Sequence, residues 1–513
     1  MHAETNETMD VENDVRTALL ENLKAINVSI RVKDGQLVIS GAKENLTPEL
    51  MHLLKANKAA MVTYFSERHT TPQTIQPIED QEYYNTSNHQ RVDWNFATKR
   101  GRGEDLFKMT IVKNVSVDID VLKRVFIHII KSHEALRTNF FTLDGELKLK
   151  IHDYDAQRYG VEVFDWRQQN DPGGAAKECI DKETARMIDL EKECLFKMQV
   201  HHVDDESCLI AVFAEHIVFD LASIDFLMNE FFEIYNAFVA WSDVPTTREQ
   251  IQLKDFVAWK NDAMAHYDHK AYWEERHLDN SFEFDFNKLY ARFSERHVEK
   301  LAHKHFHTFF VGEDLIAKLR VLAVQRHVSL FGLVTSTFII FLSRIFEQRN
   351  VLTSILFMDR DRLELENMVG NCTEYIFLFN RIDPDNSVTD AVVGLCHNFL
   401  ESTKFKYPWE ADGSWPFCNK NIFKINYLAT EASKQNHILD FTPRHVSQVS
   451  SPERMLANSY LEIKEYANGL SLECRSYQYY YAPGMIEALF EQYIKFLHAT
   501  TRNPTTRIID LLV

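Results

Sequence analysis

A chain of 513 residues is too long for one ordinary domain and long enough to bury a substantial core, so two or three domains are expected. Apolar residues make up 45% of it, with 36 Phe, 19 Tyr and only 15 Gly and 12 Pro, which describes a globular protein and excludes a low-complexity chain. A formal net charge of −18 excludes a sequence-independent grip on nucleic acid or on an anionic membrane surface, short of a local basic patch.

The seven cysteines are odd in number and scattered, without a CxxC pair or zinc-ligand spacing, so they read as reduced core residues and no metal is expected. The N-terminus lacks a basic region followed by an apolar one, and no apolar run approaches about 18 residues. Neither a signal peptide nor a membrane span is expected, and the cytoplasm is the expected compartment.

Residues 1–14 carry five acids and no Lys or Arg, the makeup of a disordered acidic arm. From 15 to 27, Leu19, Leu20, Leu23 and Ile26 form a helical stripe. In the stretch 28–40, Asp34-Gly35 supplies the positive φ values of a two-residue type I′ turn, which sets Val32 opposite Leu37 and Ile30 opposite Ile39, with Arg31 and Lys33 on the other face. Thr47-Pro48-Glu49 then opens a second helix. Helix, hairpin and helix make one small unit over 15–68, and residues 69–80, with two prolines and no periodicity, read as a linker.

Strands and helices alternate beyond residue 80 without an internal repeat. A strand is expected over 107–112, a helix over 118–132, a hairpin turning at Asp144-Gly145, two helices within 315–344, strands over 351–357 and 374–380, and a last helix over 483–500. The central stretch is Cys208 to Ala214, an apolar run of strand length expected to be buried on both faces of a sheet. A long amphipathic helix follows, with Ser223 as its expected cap. Between strand and helix stand Glu215, His216 and Asp220, two carboxylates and an imidazole at the end of a rigid support. The plain alternative is a half-buried histidine satisfied by backbone.

The first unit resembles the N-terminal docking domain of the tubulysin-synthetase type, through Gly35-Gln-Leu-Val-Ile-Ser40, Leu46-Thr-Pro-Glu-Leu50 and a Lys-containing helix. That resemblance implies capture of the C-terminal tail of an upstream synthetase as an added strand. Arg31, Lys33, Lys55 and Lys58 would suit an acidic tail, unless they are simply solvated charges.

Residues 80–513 resemble the condensation domain of nonribosomal peptide synthetases, a relative of chloramphenicol acetyltransferase. Five motifs fall in that family's order: Ser87-Asn-His-Gln-Arg-Val-Asp-Trp94, Ser132-His-Glu-Ala-Leu-Arg-Thr-Asn-Phe140, Glu215-His-Ile-Val-Phe-Asp-Leu221, Leu253-Lys-Asp-Phe-Val-Ala-Trp259 and Tyr407-Pro-Trp-Glu410. The resemblance implies an α/β (α+β) fold of two lobes forming a V, here 81–250 and 251–513, with a tunnel for substrates between them. It also implies His216 as the catalytic residue and Asp220 as its loop's support, with Arg360 as the partner of Asp220 by spacing back from Val369-Gly370. The chain departs from the family at Glu215, where a histidine is usual, and at Leu221, where a glycine is usual. Glu215 could raise the basicity of His216, hold a cationic amine, or mark lost activity. Leu221 adds bulk beside the site. A second His-His stretch, His201-His-Val-Asp-Asp-Glu206, imitates the catalytic signature but precedes the buried strand and reads as turn chemistry.

The chemistry follows from the groups. Forming an amide from a thioester needs a neutral amine, a carbonyl held in reach and a base for the proton shed by the tetrahedral intermediate. A neutral imidazole, with a reference pKa of about 6.5, serves as that base. The thioester is already activated, so no acyl-enzyme is needed, and no Gly-x-Ser-x-Gly elbow occurs. The chain needs no cofactor of its own; phosphopantetheine is expected on a partner carrier protein. With no adenylation or carrier domain after the condensation unit, the expected role is terminal: release of a carrier-bound peptidyl or acyl thioester onto a free small-molecule amine, as in rhabdopeptide-type synthetases. A carrier-bound amine, an alcohol acceptor and a non-catalytic recruitment platform are the alternatives.

Overall fold

A computed structural model describes residues 28–33, 36–41, 51, 74–99, 108–115, 118–186, 188–240, 251–276, 282–285, 287–289, 305–360, 362–405, 422–429, 445–447, 459–466, 469–476 and 484–511. The acidic arm, most of the two helices expected around the first hairpin, Lys55, Lys58 and the stretch Tyr407–Glu410 lie outside them. The hairpin is present as β1 (Val28–Lys33) and β2 (Gln36–Gly41), antiparallel, with Ile30 opposite Ile39 and Val32 opposite Leu37. Lys33 pairs with Gln36, so the loop has the two residues that the Asp-Gly turn demands.

The first large unit contains β3 (Tyr84–Asn85), α1 (Asn88–Lys99), β4 (Lys108–Val115), α2 (Ile119–Ser132), β5 (Thr138–Leu143), β6 (Glu146–Ile151), β7 (Val161–Asp165), α3 (Pro172–Ala185), β8 (Phe196–His202), β9 (Cys208–Glu215), α4 (Leu221–Val239), α5 (Leu253–Ala265) and α6 (His269–Glu275). The second contains β10 (His305–Val311), α7 (Glu313–Gln325), α8 (Leu330–Ile345), β11 (Asn350–Met358), β12 (Thr373–Arg381), α9 (Val388–Ser402), β13 (Phe423–Ala429), β14 (His445–Ser447), β15 (Ser459–Tyr466), β16 (Gly469–Ser476) and α10 (Met485–Arg502). Among the described residues the sheets run β14-β4-β9-β8-β7, β10-β16-β15-β13-β11-β12 and β3-β6-β5.

Local chemistry explains the elements that carry the site. Asp118 caps α2 by accepting from the Asp120 and Val121 amides, and Leu122, Val125, Phe126, Ile129 and Ile130 form its buried stripe. Asp144 and Gly145 take φ of 51° and 82°, the left-handed pair that a two-residue turn between β5 and β6 requires. The strand expected over 107–112 is found as β4, ending three residues later, because its register continues along β9 as far as Val115 opposite Cys208.

Each unit has its own apolar core. One gathers α2, β8, β9 and α4; the other gathers α7, α8, β11, β13, β15 and α10. The chain nevertheless crosses back. Leu365, Met368, Val369 and Cys372, from the connection between β11 and β12, are buried in the first core, and β14 pairs with β4 at the edge of the first sheet. Those returns bring residues from both units around the end of β9. Among the described residues no single helix is long and apolar enough to cross a membrane.

Candidate active site

β9 is sealed on both faces: Ile210, Ala211, Val212, Phe213 and Ala214 are all at most 4% exposed. Glu215 ends the strand and is itself buried, its amide donating to the Leu195 carbonyl at 2.9 Å. The chain then makes a single 3-10 turn, His216–Val218, and enters α4. Asp220, not Ser223, is the N-cap: its carboxylate accepts from the Ser223 amide at 2.9 Å, and the Ser223 hydroxyl donates to the same oxygen at 2.7 Å. Ser223 is thus the third residue of the helix, because the carboxylate two places beyond the turn reaches the free amides first. Leu221 opens the helix, and its side chain lies outside the described residues.

Arg360 comes from the far side, just after β11. Its Nε and Nη2 donate to Asp220 Oδ2 and Oδ1, each at 3.0 Å, while Nη1 reaches the carbonyls of Leu365 and Met368 at 2.8 Å and Nη2 that of Gly370 at 2.8 Å. The Cys372 amide also donates to Asp220, at 3.1 Å. One buried guanidinium therefore folds the 360–372 loop around itself and ties it to the helix that follows His216.

That loop delivers Asn371 to the imidazole. Asn371 Oδ1 accepts from the Thr373 amide at 2.9 Å, which orients the side-chain amide so that Nδ2 donates to the His216 carbonyl at 2.7 Å and lies 2.9 Å from His216 Nδ1. From the opposite side α1 contributes His89 and Asp93. Asp93 Oδ2 lies 3.4 Å from His89 Nε2 and 3.7 Å from His216 Nδ1. The His89 ring stacks between those of His216 and Tyr375, with centroids 5.4 and 4.9 Å apart. Behind them Lys424 donates to the Tyr375 hydroxyl at 2.8 Å.

The cluster is electrostatically divided. Burial holds the His89 imidazole down at about 4, against the pull of Asp93, so this ring is neutral near pH 7. Burial alone would raise Asp93, but the facing His89, His216 and Lys424 outweigh it and keep the carboxyl below its usual range. His216 keeps 18% of its side chain accessible, against 1% for His89 and 5% for Asp93. It is the member of the cluster that an incoming molecule can touch.

His89, Asp93 and His216 also offer one ligand atom each within 4.8 Å, a grouping that could hold a metal ion. A cation there would have to displace the Asn371 amide from His216 Nδ1. A separate cavity of about 50 Å³, lined by Phe331, Thr335, Leu395 and Phe399 among others, lies between α8 and α9, where none of the site residues is found.

The structure thus brings together His216, Asp220 and Arg360 and puts Glu215 beside them on the buried strand. Arg31 and Lys33 sit on β1. Sequence reasoning passed over His89, Asp93 and Asn371. The signal for the first two was present, a His and an Asp at i, i+4 inside the 87–94 motif; Asn371 had none. The decoy His201 is buried in β8, accepting from Trp166 Nε1 at 3.0 Å, while Asp204 accepts from the Glu206 and Ser207 amides, as a turn residue does.

Residues 80–513 match the Condensation domain family, and residues 17–67 match the TubC N-terminal docking domain. Among curated relatives, bacitracin synthase 1 of Bacillus licheniformis is 25% identical over 71% of this chain, and gramicidin S synthase 2 of Brevibacillus brevis is 22% identical over 85%. The chain spans only 7% and 10% of the length of those two proteins. Among solved structures, the X-domain from teicoplanin biosynthesis aligns with a TM-score of 0.66 at 14% identity, covering 86% of this chain and all of that one. The condensation domain of chain release from the enacyloxin polyketide synthase aligns at 0.63 and 18%, covering 97% of both chains. The cyclization-docking bidomain of EpoB from Sorangium cellulosum aligns at 0.61 and 16%, covering 98% of this chain and all of that one. These likenesses establish the two-lobed α+β fold, and the match over 80–513 identifies the chain as a member of the Condensation domain family, the amide-forming acyltransferases of peptide assembly lines, with a TubC-type docking domain at its N-terminal end.

Proposed function

We propose that this chain joins the acyl group of a carrier-bound thioester to an amine, with His216 as the proton-transfer residue. The observation that carries this is His216 itself: a partly accessible imidazole at the end of a buried strand, its turn held through the His216 carbonyl by Asn371 and its ring flanked by an ionised carboxylate. The amine lone pair attacks the thioester carbonyl; the nitrogen sheds its proton to His216 Nε2; the C–S bond breaks, and that proton leaves with the thiol. Asp220 and Arg360 hold the loops and touch no reacting atom in this scheme. The thioester's phosphopantetheine arm belongs to the carrier protein, and residues 15–68 would recruit the upstream synthetase through its tail.

The acceptor we favour is a free small-molecule amine, so that the reaction releases the product. The enacyloxin domain, described as mediating chain release, supports this reading at the level of fold. Glu215, in place of the usual first histidine, favours a second reading in which the fold recruits partners without catalysis.

The test is mass spectrometry of an acyl-loaded carrier protein incubated with a panel of soluble amines and with an aminoacyl-loaded carrier. Soluble amide is expected with the wild type, and a rate about 100-fold or more lower with His216→Ala. Product only on the second carrier overturns the release reading. Equal rates with and without His216 overturn catalysis and leave recruitment.

A further inference from the structure

A neutral imidazole carries one N–H, so its two nitrogens cannot both accept. The oriented amide of Asn371 presents an N–H to His216 Nδ1 at 2.9 Å. Held this way, the ring has its own hydrogen on Nε2, and Nε2 cannot take a proton from an amine. For the proposed chemistry the hydrogen has to sit on Nδ1, which then needs an acceptor instead of the Asn371 donor.

We propose that Asp93 is the positioning residue that supplies this acceptor, so that His216 alternates between a silent tautomer held by Asn371 and a working tautomer held by Asp93. The inference rests on the function proposed above for His216. Its support is geometric. Asp93 Oδ2 faces Nδ1 at 3.7 Å, a few tenths of an ångström beyond hydrogen-bond reach, so a small turn of the ring closes the gap. That oxygen is buried and, beyond the 3.4 Å approach of His89 Nε2, completes no hydrogen bond in the resting structure, a costly state for a carboxylate unless another state uses it. It is anchored on α1, whose start is fixed by a reciprocal cap: Ser87 N donates to Gln90 Oε1 at 2.9 Å and Gln90 N donates to Ser87 Oγ at 3.1 Å. Gln90 Nε2 also reaches the Ile217 carbonyl at 3.4 Å, so α1 and the His216 turn keep their spacing.

The charged and titratable groups around the pair are His89 on α1, Tyr375 on β12, Lys424 on β13 and Asp220 at the head of α4. His89 is kept neutral by burial and lies beside His216, the two rings inclined by 29°, so its ring borders the imidazole's turn without adding charge. In the working state Nδ1–H donates to Asp93. Nε2 takes the proton from the attacking nitrogen, and the imidazolium that results is stabilised by the facing carboxylate until the thiolate collects the proton. The charge forms on His216 beside an anion already in place.

The test compares wild type with Asp93→Asn, which keeps shape and removes the charge, using the full chain. Nitrogen-15 NMR of histidine-labelled protein, with His216 assigned by its disappearance in His216→Gln, reads the tautomer without needing turnover. A measurable share of Nδ1–H in the wild type and only Nε2–H in Asp93→Asn is expected. Turnover of acyl-carrier thioester with a soluble amine should show kcat lower by about 100-fold with KM for the amine unchanged. An unchanged tautomer, or lost activity with the wild-type tautomer, overturns the proposal. A shifted tautomer in a chain inactive even as wild type upholds the positioning role and overturns the catalytic reading instead.

Discussion

The Arg360 guanidinium meets both carboxylate oxygens of Asp220 at 3.0 Å, with only 8% and 2% of the two side chains exposed. Because the same guanidinium also takes the carbonyls of Leu365, Met368 and Gly370, the pair is the hub of the loop that delivers Asn371. Removing the carboxylate leaves a buried cation facing only the neutral carbonyls and the Ser223 hydroxyl. Asp220→Ala should therefore cost about 3–5 kcal/mol in urea unfolding. Arg360→Lys keeps the charge but cannot fork, and should fall between that variant and wild type. A loss under about 1 kcal/mol for Asp220→Ala, the range of exposed pairs, would show that the loop holds without the clamp.

Gly370 is packed so closely that a side chain has nowhere to go. A Cβ there would lie 2.8 Å from Leu253 Cδ1 and 3.1 Å from Leu253 Cβ. The backbone cannot retreat, since the Gly370 amide donates to Ser223 Oγ at 3.0 Å and its carbonyl serves Arg360. Gly370→Ala should cost about 1–3 kcal/mol by overpacking. Leu253→Ala, destabilising alone, should relieve the clash, so the double variant should be more stable than the sum of the singles predicts. Strict additivity would mean that the loop shifts freely.

How far the sequence could be read follows from what each feature depends on. The β1–β2 register, the Asp144-Gly145 turn and the α2 stripe are local, set by turn chemistry and 3.6-residue periodicity, and the structure has them as expected. Arg360 was reachable because a family motif marks its neighbourhood. Asn371 was not, because its role arises only after a loop from the second unit folds into the core of the first. His89 and Asp93 were hidden for a different reason: the 87–94 stretch was weighed as a signature, whose variable positions attract no notice, and not as a helix face. The cap of α4 was misassigned because Asp220 and Ser223 are both good capping residues, and propensity alone cannot rank them when a buried arginine fixes one of them in place.

If residues 15–68 capture an acidic tail, the basic residues on β1 should matter in a salt-dependent way. The double variant Arg31→Glu/Lys33→Glu should weaken binding of an acidic C-terminal peptide about tenfold or more at low salt, with the difference shrinking as salt rises. Fluorescence anisotropy measures this, and condensation with excess free carrier protein should be unaffected. Equal affinities across the salt range would assign these residues to solvated surface.

His201 should make the fold sensitive to acid, in the same direction as the buried His89 of the active site but from a separate place in the first sheet. Its Nδ1 accepts from Trp166 at 3.0 Å and its Nε2 lies 3.2 Å from Gln199 Oε1, a pair of contacts that suits only the neutral ring. Protonation would set a second N–H against the Trp166 N–H, and burial holds the imidazole down at about 4. The unfolded chain, with an ordinary histidine near 6.5, binds a proton between those two values when the folded protein does not. This contribution is therefore complete above about pH 6.5 and is lost as pH falls toward 4, with a slope approaching about 1.4 kcal/mol per pH unit. His201→Phe, which keeps a flat ring packed against both Phe164 and Trp166, should reduce that slope while costing stability near neutrality through the unpaired Trp166 N–H. Urea midpoints of the two proteins between about pH 4.5 and 7.5 measure the difference. Parallel curves would place the proton uptake on another group and leave His201 as a packing residue alone.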